Sequence, residues 1–141
     1  SFDARPLSKE TTQYRMKQLS QFFFVGLAGF AVDFGVLTAL SSSLGPYYAR
    51  IASFISAVVF TWALNRSITF RTARRANSPL QELLRYFIAM LMGGAINIAL
   101  YSALISVIGQ EAHHLLLAIA IGSLAGMLAN FWASKKLVFR P

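Results

Sequence analysis

Asp33 is the one charged residue in the stretch from Phe22 to Leu40. It lies about 16 Å into that stretch at 1.5 Å per helical residue. On insertion scales an ionised Asp near mid-bilayer costs about 2.5–3.5 kcal/mol. Asp33 must therefore be protonated, paired or in contact with water. Two cations are placed to approach it, Arg50 and, less easily, Arg66. Intramembrane ionisable residues are functional-site candidates by default.

Further polar residues recur in apolar surroundings: Thr61, Asn65, Asn97, Asn130 and Ser134. Such residues in a span often hydrogen-bond between helices, for about 0.6–2 kcal/mol each. A second constellation is cationic. "LNRSITFR" holds Arg66, "NFWASKKLVFR" holds Lys135 and Lys136, and Arg85 opens a later apolar run. Cations and amides together can grip a phosphate. The alternative is ordinary anchoring of helix ends at the membrane surface.

Other chemistry is missing. No serine, histidine and acid fall together in an apolar segment, and Asp33 is the only acid expected within a span. No glycine-rich phosphate loop is present. The chain has no cysteine, and its two histidines, His113 and His114, are adjacent rather than on one helix face. No metal, cofactor or enzymatic activity is expected.

The elements that must position these residues follow from composition. The chain is 56% hydrophobic and 13% charged, against ~25% charged in soluble domains. About 20 apolar residues cross ~30 Å of hydrocarbon, and four segments qualify: Phe22–Leu40, Tyr48–Leu64, Tyr86–Ile108 and Leu115–Ala133. The first apolar run starts too late and is too long for a cleavable signal peptide, so none is expected. "SSSLGP" and "GQEAHH" make short turns, and "RTARRANSPLQE" a longer polar loop.

Twelve of the thirteen Lys and Arg lie in the N-terminal tail, the central loop and the C-terminal end; Arg50 alone lies opposite. The positive-inside rule puts both termini in the cytoplasm. The net charge of +8 thus reports topology. A nucleic-acid partner would need a basic face on a soluble module, and the chain offers none.

The two halves repeat. Shifted by 64 residues, the first span meets the third, Gly29 on Gly93 and Asp33 on Asn97. Shifted by 69, the second meets the fourth: Ser53 on Gly122, Ala57 on Gly126, Thr61 on Asn130, Asn65 on Ser134 and Arg66 on Lys135. Positions four apart share a helix face, so each span carries a stripe of small and polar residues. Gly122 and Gly126 form a GxxxG suited to close helix approach, within the chain or between copies in a homo-oligomer. The expected fold is an all-α membrane bundle of four transmembrane helices in two parallel repeats, about 21–71 and 84–140, after a basic cytoplasmic tail, 1–20.

These residues resemble the GtrA family of small four-span membrane proteins. "FFFVGLAGFAVDFGVL", "ARIASFISAVVFTWALNRSITF", "LLRYFIAMLMGGAINIALY" and "LANFWASKKLVF" carry the resemblance in order, over roughly residues 15–140. Ile68 departs from it, standing where the family often has Trp. The resemblance implies a protein of the bacterial inner membrane that flips a polyprenyl-phosphate-linked sugar, such as undecaprenyl-phosphate glucose, during cell-surface polysaccharide synthesis or glycosylation. Asp33, Asn65, Arg66 and Arg85 fall on family motif positions, and Arg50 where a basic residue often starts the second span. On this reading Arg66, Lys135, Lys136 and Arg85 hold the lipid phosphate, Arg50 receives it, and Asp33, Thr61, Asn65, Asn97, Asn130 and Ser134 line a polar track. A rival reading is a non-transporting anchor that recruits a cytoplasmic glycosyltransferase through its basic tail and loop. A proton-coupled exporter of the small multidrug resistance type also has four spans. Its dual-topology members need weak charge bias, and this chain's is strong.

Overall fold

The computed structural model describes residues 8–74 and 78–140. Arg5 and Arg75, two of the cations counted above, lie outside the described residues. The described residues form three α-helices: α1 (Lys9–Leu64), α2 (Pro79–Ile108) and α3 (Ala112–Ala133). Each is long and apolar enough to cross a membrane, and among the described residues there is no strand.

Helix α1 starts earlier than its apolar run because Ser8 caps it. The Ser8 hydroxyl accepts the Thr11 amide proton at 3.2 Å, and Glu10 sits in the positive first turn. Part of the expected tail is therefore helix. α2 also starts early. Ser78 accepts the Gln81 amide proton at 3.3 Å, and Pro79 occupies the first turn, where its missing N–H costs nothing. This corrects one expectation: Glu82 lies inside α2, so Asp33 is not the only acid in a membrane-capable helix.

α1 is not straight. Gly45 has φ 77° and ψ 168°, a left-handed conformation that glycine adopts without a Cβ clash, and Pro46 follows it. A straight helix would hold Asp33 and Arg50 about 25 Å apart; their side chains meet at 2.7 Å. The limbs 9–44 and 46–64 therefore run back along each other. Gly109, with φ 92°, makes the equivalent reversal between α2 and α3.

The two hairpins are built alike. Both end in a five-residue π-helical turn, Asn65–Thr69 and Ser134–Val138, at equivalent positions of the sequence repeat. Each turn closes on a phenylalanine, whose amide donates to the turn's first carbonyl: Phe70 to Asn65 at 2.8 Å and Phe139 to Ser134 at 2.7 Å. Glycine sets the spacing inside each hairpin. A Cβ on Gly29 would strike the Thr61 methyl, and one on Gly93 would strike the Asn130 amide. A Cβ on Gly126 would lie 2.8 Å from the Gly93 carbonyl oxygen. The GxxxG face is thus consumed within the chain.

Large apolar side chains point outward. Phe30, Phe34, Ile98 and Leu116 are each more than 60% exposed, whereas soluble monomers rarely expose such continuous apolar surface. Small residues pack between the helices: Ala49, Ser53, Ala118 and Ser134 are fully buried. This is the outside of a protein that sits in lipid. Where the termini gather, the hairpins join through aromatic rings. Phe70 and Phe139 stack at 5.0 Å, Phe22 meets Phe131 edge-on at 5.5 Å, and Tyr86 tilts against Phe139.

Candidate functional site

A cleft of about 490 Å³ lies between the hairpins. Five of the six expected track residues line it: Asp33, Thr61, Asn65, Asn97 and Asn130. The sixth, Ser134, is buried one turn beyond. Arg50 is the one cation of the lining. Arg66, Lys135, Lys136 and Arg85 stand outside it, toward the end where the termini lie. Gly26, Gly29, Gly93 and Gly94 thin the walls, and Phe22, Phe30 and Phe54 give them apolar surface.

One guanidinium nitrogen of Arg50 donates to both Asp33 carboxylate oxygens at 2.7 Å. The same nitrogen lies 3.5 Å from the Ser53 hydroxyl. This settles which cation partners Asp33. The Asp33 side chain is 18% exposed and that of Arg50 56%, so the pair is reachable from the cleft rather than sealed. A pair of this kind can trade its internal bond for a ligand's: Arg50 toward a phosphate, Asp33 toward hydroxyls.

At its other end the cleft is closed by hydrogen bonds. The Thr69 hydroxyl donates to the Asn65 side-chain oxygen Oδ1 at 2.8 Å, the Asn65 side-chain amide to the Tyr86 hydroxyl at 3.0 Å, and Tyr86 to Thr61 at 3.0 Å. Thr61 then donates to the Val58 carbonyl at 3.2 Å. Asn65, Tyr86 and Thr61 each give and take, which keeps these buried polar groups satisfied. The aromatic layer lies just past this chain.

The expected phosphate cations have partners of their own. Arg66 pairs with Glu82 at 2.9 Å and lies over the Trp62 ring, whose N–H also donates to Glu82 at 3.0 Å. Lys135 donates to Gln18 at 2.7 Å and lies over Phe131. The sequence repeat places Gln18 on Glu82, Arg66 on Lys135 and Trp62 on Phe131. The two contacts are therefore one clasp made twice, each hairpin's cation held by the other hairpin's first helix. Arg85 and Lys136 are exposed. Arg74 donates its backbone N–H to the Arg140 carbonyl at 3.0 Å, tying the central loop to the C-terminal end.

Sequence reasoning missed Glu82, which is 4% exposed and reads from its neighbours as a loop residue. Its signal was Ser78-Pro79, a helix start that draws the following turn into α2. It also missed Tyr86, read only as the edge of a span. At the Gly109 turn, Glu111, His113 and His114 hold their ligand atoms within 4.8 Å of one another at the surface. None of the three lines the cleft.

Comparisons with known proteins agree with this architecture. The chain is 26% identical over 130 residues to the uncharacterized membrane protein YngA of Bacillus subtilis (strain 168), covering 92% of this chain and 84% of that one. The sequence pattern described as "GtrA/DPMS, transmembrane domain" matches residues 21–139. With that match spanning both helical hairpins and the cleft between them, the chain belongs to the GtrA/DPMS transmembrane-domain family.

Proposed function

We propose that this protein moves a polyprenyl-phosphate-linked sugar, such as undecaprenyl-phosphate glucose, between membrane leaflets, serving cell-surface polysaccharide synthesis or glycosylation. Family membership supports a role in polyprenyl-phosphate sugar processes. In this reading both limbs of α1 cross the bilayer, giving four spans in the bacterial inner membrane, and the cation bias sets both termini in the cytoplasm. No covalent chemistry is involved: the protein supplies a route.

The observation that carries the proposal is the shared cleft, in which Asp33, Arg50, Asn97 and Asn130 face one space beside lipid-facing apolar walls. A flipped lipid needs its charged headgroup kept out of hydrocarbon while its tail stays in it. Exposing one unpaired charge at mid-bilayer costs about 2.5–3.5 kcal/mol or more. Polar groups between helices reduce that cost, and a side opening lets the tail trail outside. The Asp33–Arg50 pair would open to take the headgroup, Arg50 binding phosphate and Asp33 a hydroxyl. Arg66, Lys136 and Arg85 would raise the local positive potential on the loading side. The cleft's closed end is then the cytoplasmic one, and the described state is the one facing outward.

The test is leaflet transfer of a polyprenyl-phosphate sugar in liposomes holding the purified protein. Asp33→Ala and Arg50→Ala should each slow transfer about tenfold, the effect of one lost charge-assisted contact. Transfer at the unaltered rate in both variants overturns the mechanism and leaves the recruiter reading in its place.

A further inference from the structure

A second, smaller cavity of about 140 Å³ lies at the opposite side of the aromatic layer. It shares no lining residue with the cleft. Tyr14 and Gln18 of α1, Phe70 and Thr72 of the central segment, and Lys135 and Phe139 of the C-terminal end line it. It is thus assembled from both hairpins. Its volume is less than a third of the cleft's.

A connected set of hydrogen bonds runs along its wall. Gln18 organises them. Its carbonyl oxygen accepts from Lys135 at 2.7 Å, and this fixes the amide orientation. The amide nitrogen donates to the Tyr14 hydroxyl at 3.2 Å and the Thr69 carbonyl at 3.4 Å. Tyr14 and Thr72 share a bond at 3.1 Å. With the Tyr14 proton passed to Thr72, the Thr72 proton is left to donate. An ammonium has three protons, and Gln18 takes one from Lys135. Arg15 and Lys136 stand close enough to Lys135 to act on its charge, so the local field favours an anion. Among the described residues, none that lines the cavity is a carboxylate. Phe70 and Phe139 form its walls, which suits an amphiphile whose phosphate meets Lys135 while its glycerol and first methylenes lie on the rings.

We infer that this cavity binds the phosphate of an anionic group, held by Lys135 and Thr72 with Tyr14 orienting the Thr72 hydroxyl, and that an anionic phospholipid seated there pins the two hairpins together at this end. The site is separate from the transport cleft and does not depend on it: a failure of leaflet transfer would leave it standing.

The test uses the full chain in nanodiscs. Phosphatidylglycerol retention through detergent exchange is read by native mass spectrometry, and inorganic phosphate is added to phosphatidylcholine discs in a separate arm read by thermal unfolding. One phosphatidylglycerol should stay with the unaltered protein. Lys135→Gln should weaken retention about tenfold, the worth of one charge-assisted bond. Thr72→Val and Tyr14→Phe should weaken it less, and Lys17→Gln, an exposed charge-matched control, should not. If inorganic phosphate raises the unfolding temperature instead, and Lys135→Gln abolishes the rise, the site serves a free anion and the binding chemistry stands. Indifference of both arms to Lys135→Gln overturns the inference, as does equal loss in Lys17→Gln. Should Lys135→Gln not fold, unchanged retention in both Thr72→Val and Tyr14→Phe overturns it equally.

Discussion

The two hairpins share a backbone plan and differ in what they bury. In the first, the equivalents of Asn97 and Ile119 are Asp33 and Arg50, so an acid and its cation are present together. In the second both charges are absent together. At the closed end the difference runs the other way. Tyr86 of the second hairpin reaches across to satisfy Thr61 and Asn65 of the first. Its counterpart, Phe22, has no hydroxyl to return. The residues it leaves, Asn130 and Ser134, hold buried oxygens with no partner among the described residues. Symmetry thus supplies the scaffold, and its breaking supplies the chemistry. One hairpin carries the charged pair and the other carries unsatisfied acceptors, and both face the cleft or the turn beyond it.

Breaking the scaffold should have the largest effect. Gly126→Leu forces a side chain into the Gly93 backbone and should cost about 3 kcal/mol, read as loss of monodisperse protein in detergent. Ala57→Leu, at the equivalent position of the first hairpin, should cost less, because that position already carries a Cβ. Removing the asymmetry of charge should spare the fold. Asp33→Asn with Arg50→Ile gives the first hairpin the second's residues. We expect an unfolding temperature near that of the parent and leaflet transfer slowed about tenfold or more. Arg50→Ile alone should be less stable than the double variant, since it leaves Asp33 unpaired.

The clasps come next. Glu82→Gln makes the Arg66 clasp like the Lys135 clasp and should cost about 1–2 kcal/mol, because it weakens a charge-assisted contact of a buried carboxylate to Arg66. The smallest effects concern single hydroxyls and carry opposite signs. Tyr86→Phe should cost about 1 kcal/mol by stranding Asn65 and Thr61. Phe22→Tyr should gain about as much by offering Asn130 or Ser134 a donor. Chemical unfolding in one detergent measures both.

Much of this was legible in the sequence. Apolar runs of spanning length gave the helices, and the 64- and 69-residue shifts gave the repeat, since equivalent positions must pack alike. The small-and-polar stripes gave most of the cleft lining, because a helix face is a local property with a period. The choice of Arg50 over Arg66 for Asp33 needed the fold. So did the clasps: Lys135 and Gln18 lie 117 residues apart, and pairing across hairpins leaves no periodic trace. Glu82 was misread because its neighbours are polar, though the Ser78 cap places it in a helix. The closed end of the cleft was hidden for a further reason. Phe70, Tyr86 and Phe139 look like ordinary interface anchors until two π-helical turns bring their rings together.

The claim that a headgroup passes between the hairpins has a direct measurement. The chain has no cysteine. Gly94 lines the cleft and Gly35 does not, and a Cβ at either meets open space. Gly94→Cys and Gly35→Cys, each labelled with a bulky maleimide, can be compared for leaflet transfer of a polyprenyl-phosphate sugar in liposomes. The account expects labelling to stop transfer at position 94 and leave it unchanged at position 35. Full transfer through the labelled Gly94→Cys protein would contradict it.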